Sequence, residues 1–216
     1  MRRFLIYLIS QTILLPIIVG LIRSRRIGKG YQPFYILLWI GLLTEEISYL
    51  LITYHHSNTI AINIYTLVEW TLIAWQFHVW GFLKQKTRVF YVLLVAAALF
   101  WAIENLAFGK ITSFSPYFCS SYAFGIVLLS IRTINFMITH DRNLFRNTRF
   151  LICIGFIMYF MYMILYYWAS AVSMYGKSVA SSTVIFYLMA YINALTNIIY
   201  AIAFLLIPAR VKFTLK

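Results

Sequence analysis

Three carboxyls lie inside apolar stretches of this chain, Glu45 and Glu46 in one and Glu69 in the next. An ionised carboxylate at the centre of a bilayer costs about 3 kcal/mol even on a permissive insertion scale, and no lysine or arginine occurs at their depth. Such groups are expected to be neutral and hydrogen-bonded, or to face a wet cavity that takes up a proton or a cationic ligand. The plainer alternative is hydrogen-bond glue between helices. Glu45, Ser48 and Tyr49 share a helix face by i+3 and i+4 spacing, with Glu46 turned about 100° away. Asn63, Thr66 and Glu69 form a second polar arc, with Gln76 one heptad below, and Asn193, Thr196, Asn197 and Tyr200 form a third. The candidate binding residues are therefore Glu45, Tyr49, Asn63, Thr66, Glu69, Asn193 and Asn197, with a neutral Glu69 expected to donate a hydrogen bond to Asn193 or Asn197.

Other chemistry-bearing residues read as structural. Tyr159, Tyr162 and Tyr166 recur at i, i+3 and i+7, a spacing at which aromatics usually pack. Glu104 and Asn105 read as shallow residues of a solvated mouth. His55 and His56 read as a turn without a third metal ligand nearby, and His78 as snorkelling to an interface. Cys119 and Cys153 fall at opposite ends of neighbouring spans, too far apart for a bridge, and read as reduced packing residues. No metal, cofactor or catalytic constellation is expected.

The elements that must position these groups follow from composition. Apolar residues make up 63% of the chain, aromatics 19% and charged residues 11%, against about a quarter charged in soluble domains. A hydrocarbon core of about 30 Å needs roughly 20 apolar residues per helical span. Seven such stretches fit, at about 4–22, 34–54, 59–82, 89–108, 117–138, 150–172 and 183–207, with no room for a soluble domain. Runs of this length do not alternate as lipid-facing strands must. The expected fold class is therefore all-α, a single polytopic membrane domain over residues 1–216. The first stretch reads as a retained span rather than a signal peptide, because no small-residue cleavage site follows it. Pro16 is expected to kink it, and Pro33 to start the second.

The net charge of +13 is distributed by side. Arg23, Arg25, Arg26, Lys29, Lys84, Lys86, Arg88, Arg132, Arg142, Arg146, Arg149, Arg210, Lys212 and Lys216 fall in alternate connections, leaving Arg2, Arg3, Lys110 and Lys177 on the other side. This is the positive-inside pattern, so charge serves topology and anionic headgroups rather than nucleic acid. It places the N-terminus outside and the C-terminus in the cytoplasm. With that orientation Glu45 and Glu69 both lie about 14 Å below the outer surface, level and near the midplane.

A short internal similarity relates Trp39-Ile-Gly41 and Asn63-Ile-Tyr65 to Cys153-Ile-Gly155 and Asn197-Ile-Ile-Tyr200, which suggests a parallel 3+1+3 layout with a site between halves. Asn63-Ile-Tyr-Thr-Leu-Val-Glu69, together with Asn193-Ala-Leu-Thr-Asn-Ile-Ile-Tyr200 before a basic end, resembles a family of small seven-span inner-membrane proteins common in Bacteroidota. That resemblance spans nearly the whole chain and implies topology and a bacterial inner-membrane location, not chemistry. The 3+1+3 plan is also similar to SWEET and PQ-loop transporters, whose asparagines on spans three and seven line the substrate pocket, as Asn63 and Asn197 or Asn193 would here. The chain departs from them in lacking a Pro-Gln pair and a proline in span six, and in its added carboxyls. It also lacks the span-seven lysine of a retinal-binding rhodopsin and the span-seven histidines of zinc-dependent membrane hydrolases. Where membrane-embedded CAAX-type proteases carry an arginine after Glu-Glu, it has Leu50.

These observations support an integral membrane carrier or small-molecule binder with a midplane polar pocket, its ligand small and polar or cationic, with the proton a candidate coupling ion. A sensing or assembly subunit is the alternative, acting through a cytoplasmic protein on the basic loops or through a second copy of the chain. A lipid-modifying enzyme ranks third, for want of a nucleophile and base. The topology is tested by labelling single cysteines with a membrane-impermeant reagent from outside. A probe at Asn58 is expected to react and one at Gln85 to stay protected; the reverse pattern refutes the orientation.

Overall fold

The computed structural model describes residues 2–81, 87–140, 143–174 and 179–207, without side-chain detail at 2–5, 140, 170–174, 179–184 and 186. Expectations resting on Phe82, Lys84, Gln85, Lys86, Asp141, Arg142, Lys177, Arg210, Lys212 and Lys216 lie outside the described residues. Within them the chain is all-helical: α1 (Arg2–Ser10), α2 (Leu14–Ile22), α3 (Gln32–His55), α4 (Thr59–Val79), α5 (Thr87–Ala102), α6 (Pro116–His140), α7 (Thr148–Met174) and α8 (Val179–Leu205). Helices α1 and α2 are halves of one broken segment, so seven helices are described.

The break has a covalent cause. Pro16 has no N–H for the carbonyl of Thr12, and its ring crowds that carbonyl. The chain answers with a 3-10 turn over Gln11–Ile13 between the two halves. At the end of α5 the helix widens into a π-helical turn, Ile103–Phe108, which carries Glu104 and Asn105.

Among the described residues, five helical stretches are long and apolar enough to cross a membrane: Gln32–His55, Thr87–Phe108, Pro116–Thr139, Thr148–Ala169 and Tyr187–Leu205. The molecule is turned outward accordingly. Leu43, Ile47, Leu50, Val92, Val95, Leu99, Leu128, Leu165, Ile198 and Ile202 are exposed, whereas Asn63, Thr66, Glu69, Gln76, Ser130, Thr196 and Asn197 are buried. A soluble protein would place these sets the other way round; this is the surface of a membrane-embedded protein. Helix α4 is missing from the five because of its polar residues, and those residues point inward: Asn63, Thr66, Glu69 and Gln76 are all buried.

Packing runs α3 on α4, α6 on α7, α7 on α8 and α2 on α8, with α4 also touching α5 and α6. Close approach is permitted by small residues. A Cβ on Gly155 would sit 2.3 Å from the Tyr200 ring, and one on Gly20 2.4 Å from the Tyr35 ring, so α7 meets α8 and α2 meets α3 closer than any side chain allows.

Helix ends inside such a protein need partners for their free backbone groups, and distant side chains supply them. Gln76 Oε1 accepts the Phe34 N–H at 2.8 Å while its Nε2 donates to the Gly30 carbonyl at 2.6 Å, so α4 caps the start of α3. Glu104, expected from sequence to sit in a solvated mouth, instead caps α6 by accepting the N–H groups of Tyr117 and Phe118 at 3.1 and 2.5 Å. A carboxylate suits that positive helix end. Asn105 is buried rather than at a mouth, donating to the Trp101 carbonyl at 3.0 Å and accepting from Ser115 Oγ at 2.6 Å. At the opposite side of the protein the Arg23 guanidinium donates to the Leu205 carbonyl near the end of α8. Cys119 and Cys153 are buried free thiols. His78 stacks on Phe90 with ring centroids 4.4 Å apart.

Replacing Gln76 by leucine removes both bonds and leaves a buried donor and acceptor unmet, at about 1–3 kcal/mol each. Gln76→Leu is expected to lower the melting temperature of the purified protein clearly; a melting temperature equal to that of the parent refutes the capping role.

Candidate functional site

A cavity of about 920 Å³ lies between α1, α3, α4, α6, α7 and α8. Its wall is built by periodicity: α3 contributes Gly41, Thr44, Glu45, Ser48, Tyr49 and Ile52, α4 contributes Ile62, Tyr65, Thr66, Glu69 and Ile73, and α8 contributes Asn193, Thr196, Asn197 and Tyr200. Each set follows i, i+3, i+4, i+7 spacing and therefore one helix face. One end reaches the α3–α4 turn at Thr53, His56 and Asn58. There His56 takes the left-handed conformation, φ 59°, that ends a helix sharply. The other end stops at the buried rings of Phe34, Phe156 and Tyr200. These rings pack edge to face, with Phe34 4.9 Å from Tyr200 and 5.7 Å from Phe156.

Of the seven residues singled out from sequence, Glu45, Tyr49, Thr66, Glu69, Asn193 and Asn197 line this cavity. Asn63 does not. Its Nδ2 donates to the carbonyls of Ile111 and Ser113 at 3.0 and 2.8 Å, and its own carbonyl accepts from Trp101 Nε1 at 2.7 Å. Asn63 thus ties α4 to α5 and to the connection before α6.

Glu69 is 4 % exposed, and its hydrogen bonds differ from those expected. Neither asparagine of α8 reaches it. Tyr65 donates to Oε1 at 3.0 Å and Tyr122 to Oε2 at 2.8 Å, and the Tyr122 hydroxyl lies 3.1 Å from that of Tyr167. The carboxyl is therefore the centre of a phenol chain joining α4, α6 and α7. A hydroxyl can turn to donate or accept, so the chain holds Glu69 in either protonation state and can pass a proton along its length. Asn197 instead donates to Thr12 Oγ1 at 3.0 Å and, at 3.5 Å, to Asn193 Oδ1, fastening α8 to the break in the first segment.

The adjacent glutamates of α3 separate in environment. Glu46 accepts from Tyr7 at 3.0 and 3.2 Å and from Gln11 Nε2 at 2.7 Å, while the Tyr7 ring stacks on Tyr49 at 4.2 Å. Glu46 accordingly holds α1 against α3. Glu45 faces the cavity, as does Ser10, whose hydroxyl donates to the Tyr7 carbonyl at 2.9 Å.

The tyrosines are the residues that sequence reasoning undervalued. Tyr159 and Tyr166, expected only to pack, line the cavity, whereas Tyr162 donates to the Ile185 carbonyl at 2.7 Å. Tyr7, Tyr65, Tyr122 and Tyr167 also line it and were not singled out. Tyr65 stands four residues before Glu69 and was available from helical spacing; Tyr122 and Tyr167 arrive from other helices with no local signal.

Glu69 should report its partners directly. Infrared spectra are expected to show its carboxyl band shifted in Tyr122→Phe and in Tyr65→Phe, each costing about 1 kcal/mol of stability, and unmoved in Asn193→Ala. A band that moves in Asn193→Ala alone overturns the phenol arrangement.

No protein-family model, curated protein or solved structure matches the chain, so the chemistry of this cavity is what bears on its function.

Proposed function

We propose that this is an integral membrane carrier or binding protein for a small polar or cationic molecule, which occupies the cavity between α3, α4 and α8. The observation that carries the reading is the cavity itself. Two carboxyls and an amide pair from three separate helices converge on one space large enough for a drug-sized ligand, in a molecule whose outer surface is apolar. Hydrogen-bond glue needs no such space.

In this reading the chain crosses the membrane seven times, with the N-terminus outside. The broken segment Ile6–Ile22 and α4 supply two spans beyond the five apolar ones. Helix α4, with 21 residues, is about 31 Å long and matches the hydrocarbon thickness; its polar face is shielded by its neighbours. The resemblance to small inner-membrane proteins of Bacteroidota makes a bacterial inner membrane the location in this reading. The parallel 3+1+3 plan remains part of this reading on its sequence similarity; in the packing, Gly155 gives room to Tyr200, whereas a Cβ on Gly41 would first meet Ile13 at 3.0 Å. The phenol chain on Glu69 supports proton coupling.

A sensing or assembly role is favoured by a different observation, the exposed Arg25, Arg26, Lys29, Arg146 and Arg149 in connections read as cytoplasmic. These residues suit a protein partner or anionic headgroups equally, and they do not account for the cavity.

A panel of small polar and cationic compounds, screened by thermal shift on the purified protein and by counterflow in proteoliposomes, tests the binding reading. At least one compound is expected to bind saturably, with affinity falling about tenfold or more in Glu69→Gln while the melting temperature without ligand is kept. Binding that is indifferent to both Glu69→Gln and Glu45→Gln removes the site from this cavity.

A further inference from the structure

Resting on the binding reading above, we infer that the ligand is an organic ammonium carried on an apolar body, its charge held between Glu45 and Glu69 and over tyrosine rings. Four observations lead there. First, the cavity is one-signed: among the described residues that line it, Glu45 and Glu69 are the acids, there is no lysine or arginine, and His56 stands at the open end. An ionised carboxyl here has no countercharge from the protein, and a cation supplies one.

Second, the lining is aromatic. Tyr7, Tyr49, Tyr65, Tyr122, Tyr159, Tyr166, Tyr167 and Tyr200 all face this space, eight of the chain's 17 tyrosines. Rings around a desolvated ammonium attract it through their quadrupoles, and a strongly hydrated metal ion gains less from them. Tyr65 donates to Glu69 at 3.0 Å, and Tyr159 lines the same space as both glutamates, so the charges and the rings share one region.

Third, the two carboxyls are not equivalent. Both oxygens of Glu69 are already engaged by Tyr65 and Tyr122, so it stands behind phenols. Glu45 is the carboxyl open to direct contact. Fourth, α8 adds Asn193 and Thr196 to the same wall, and the half-buried Asn193 amide is placed to meet a polar substituent of the ligand. The volume exceeds what a bare ammonium fills, and Ile62, Ile73, Phe160 and Met163 in the wall supply apolar surface for a ligand body.

The test uses three probes of similar size on the purified full chain in detergent: benzyltrimethylammonium, its neutral carbon isostere neopentylbenzene, and benzylsulfonate. Saturable thermal shifts are expected with the ammonium at least about tenfold below the concentration needed for either of the others. Glu45→Gln is expected to abolish that preference without changing the response to neopentylbenzene, and Tyr159→Phe, which keeps the ring, to retain it where Tyr159→Leu does not. Equal or better binding of the neutral or anionic probe overturns the cation assignment and leaves the cavity as a small-molecule site. Absence of saturable binding by all three also overturns it, and the wider panel then decides separately whether the cavity binds anything. Full ammonium preference in Glu45→Gln refutes the charge placement.

Discussion

Two phenols from different helices meet one carboxyl in the interior of this protein, and the architecture answers to that meeting. Glu69 lies in a low-dielectric region without a cationic neighbour in the cavity wall, where an unmet polar group is expensive. Tyr65 above it on the same helix and Tyr122 across from α6 engage both oxygens. For this to happen α4 must turn its polar face to its neighbours, while Ile60, Ile64 and Trp75 on its other face stay exposed. Its other polar residues then become available for structural work, and they are used: Gln76 closes the start of α3, and Asn63 fastens the connection before α6.

Reading this chain from its residues recovered the parts that depend on local pattern. Length and hydropathy of the apolar runs gave the all-helical class, the position of Pro16 marked where the first segment breaks, and helical spacing grouped Glu45 with Tyr49 and Thr66 with Glu69 on the faces that line the cavity. What could not be read depends on which helix lies beside which. Glu69 was matched with asparagines at its own depth because depth follows from counting residues, whereas the lateral order of helices does not. The structure puts α6 and α7 on that side, and their tyrosines take the role. Glu104 was judged by depth in the same way, but its function is set by the helix end that folds back over it. Asn63 shares a polar arc with Thr66 and Glu69, yet three residues of helix turn it far enough to leave the cavity for the α5–α6 connection. Tyrosine is the general lesson: its ring packs as apolar bulk and its hydroxyl binds as a polar group, so spacing alone does not say which end matters.

Side-chain capping across long sequence distances is the second theme. Gln76, Glu104 and Arg23 each meet the backbone of a helix that is not their own, at separations of 42, 13 to 14 and 182 residues. In water these helix ends would be solvated at little cost; in a membrane-embedded fold they need partners. Each contact also specifies which two elements are neighbours, so satisfying the backbone and choosing the tertiary arrangement are one event.

One end of the cavity stops at buried rings, and that has a consequence for movement. Phe34, Phe156, Tyr200 and Phe204 interlock there from α3, α7 and α8. If the protein is the carrier proposed above, a ligand that crosses would have to pass these rings. Edge-to-face ring pairs contribute only about 0.5–1.5 kcal/mol each beyond their buried area. The four rings are also almost fully buried, so parting them gives up their packing as well as these pair energies. The tight seat of Tyr200 on Gly155 ties α7 to α8 at this end, so whatever moves there, these two helices move as a pair.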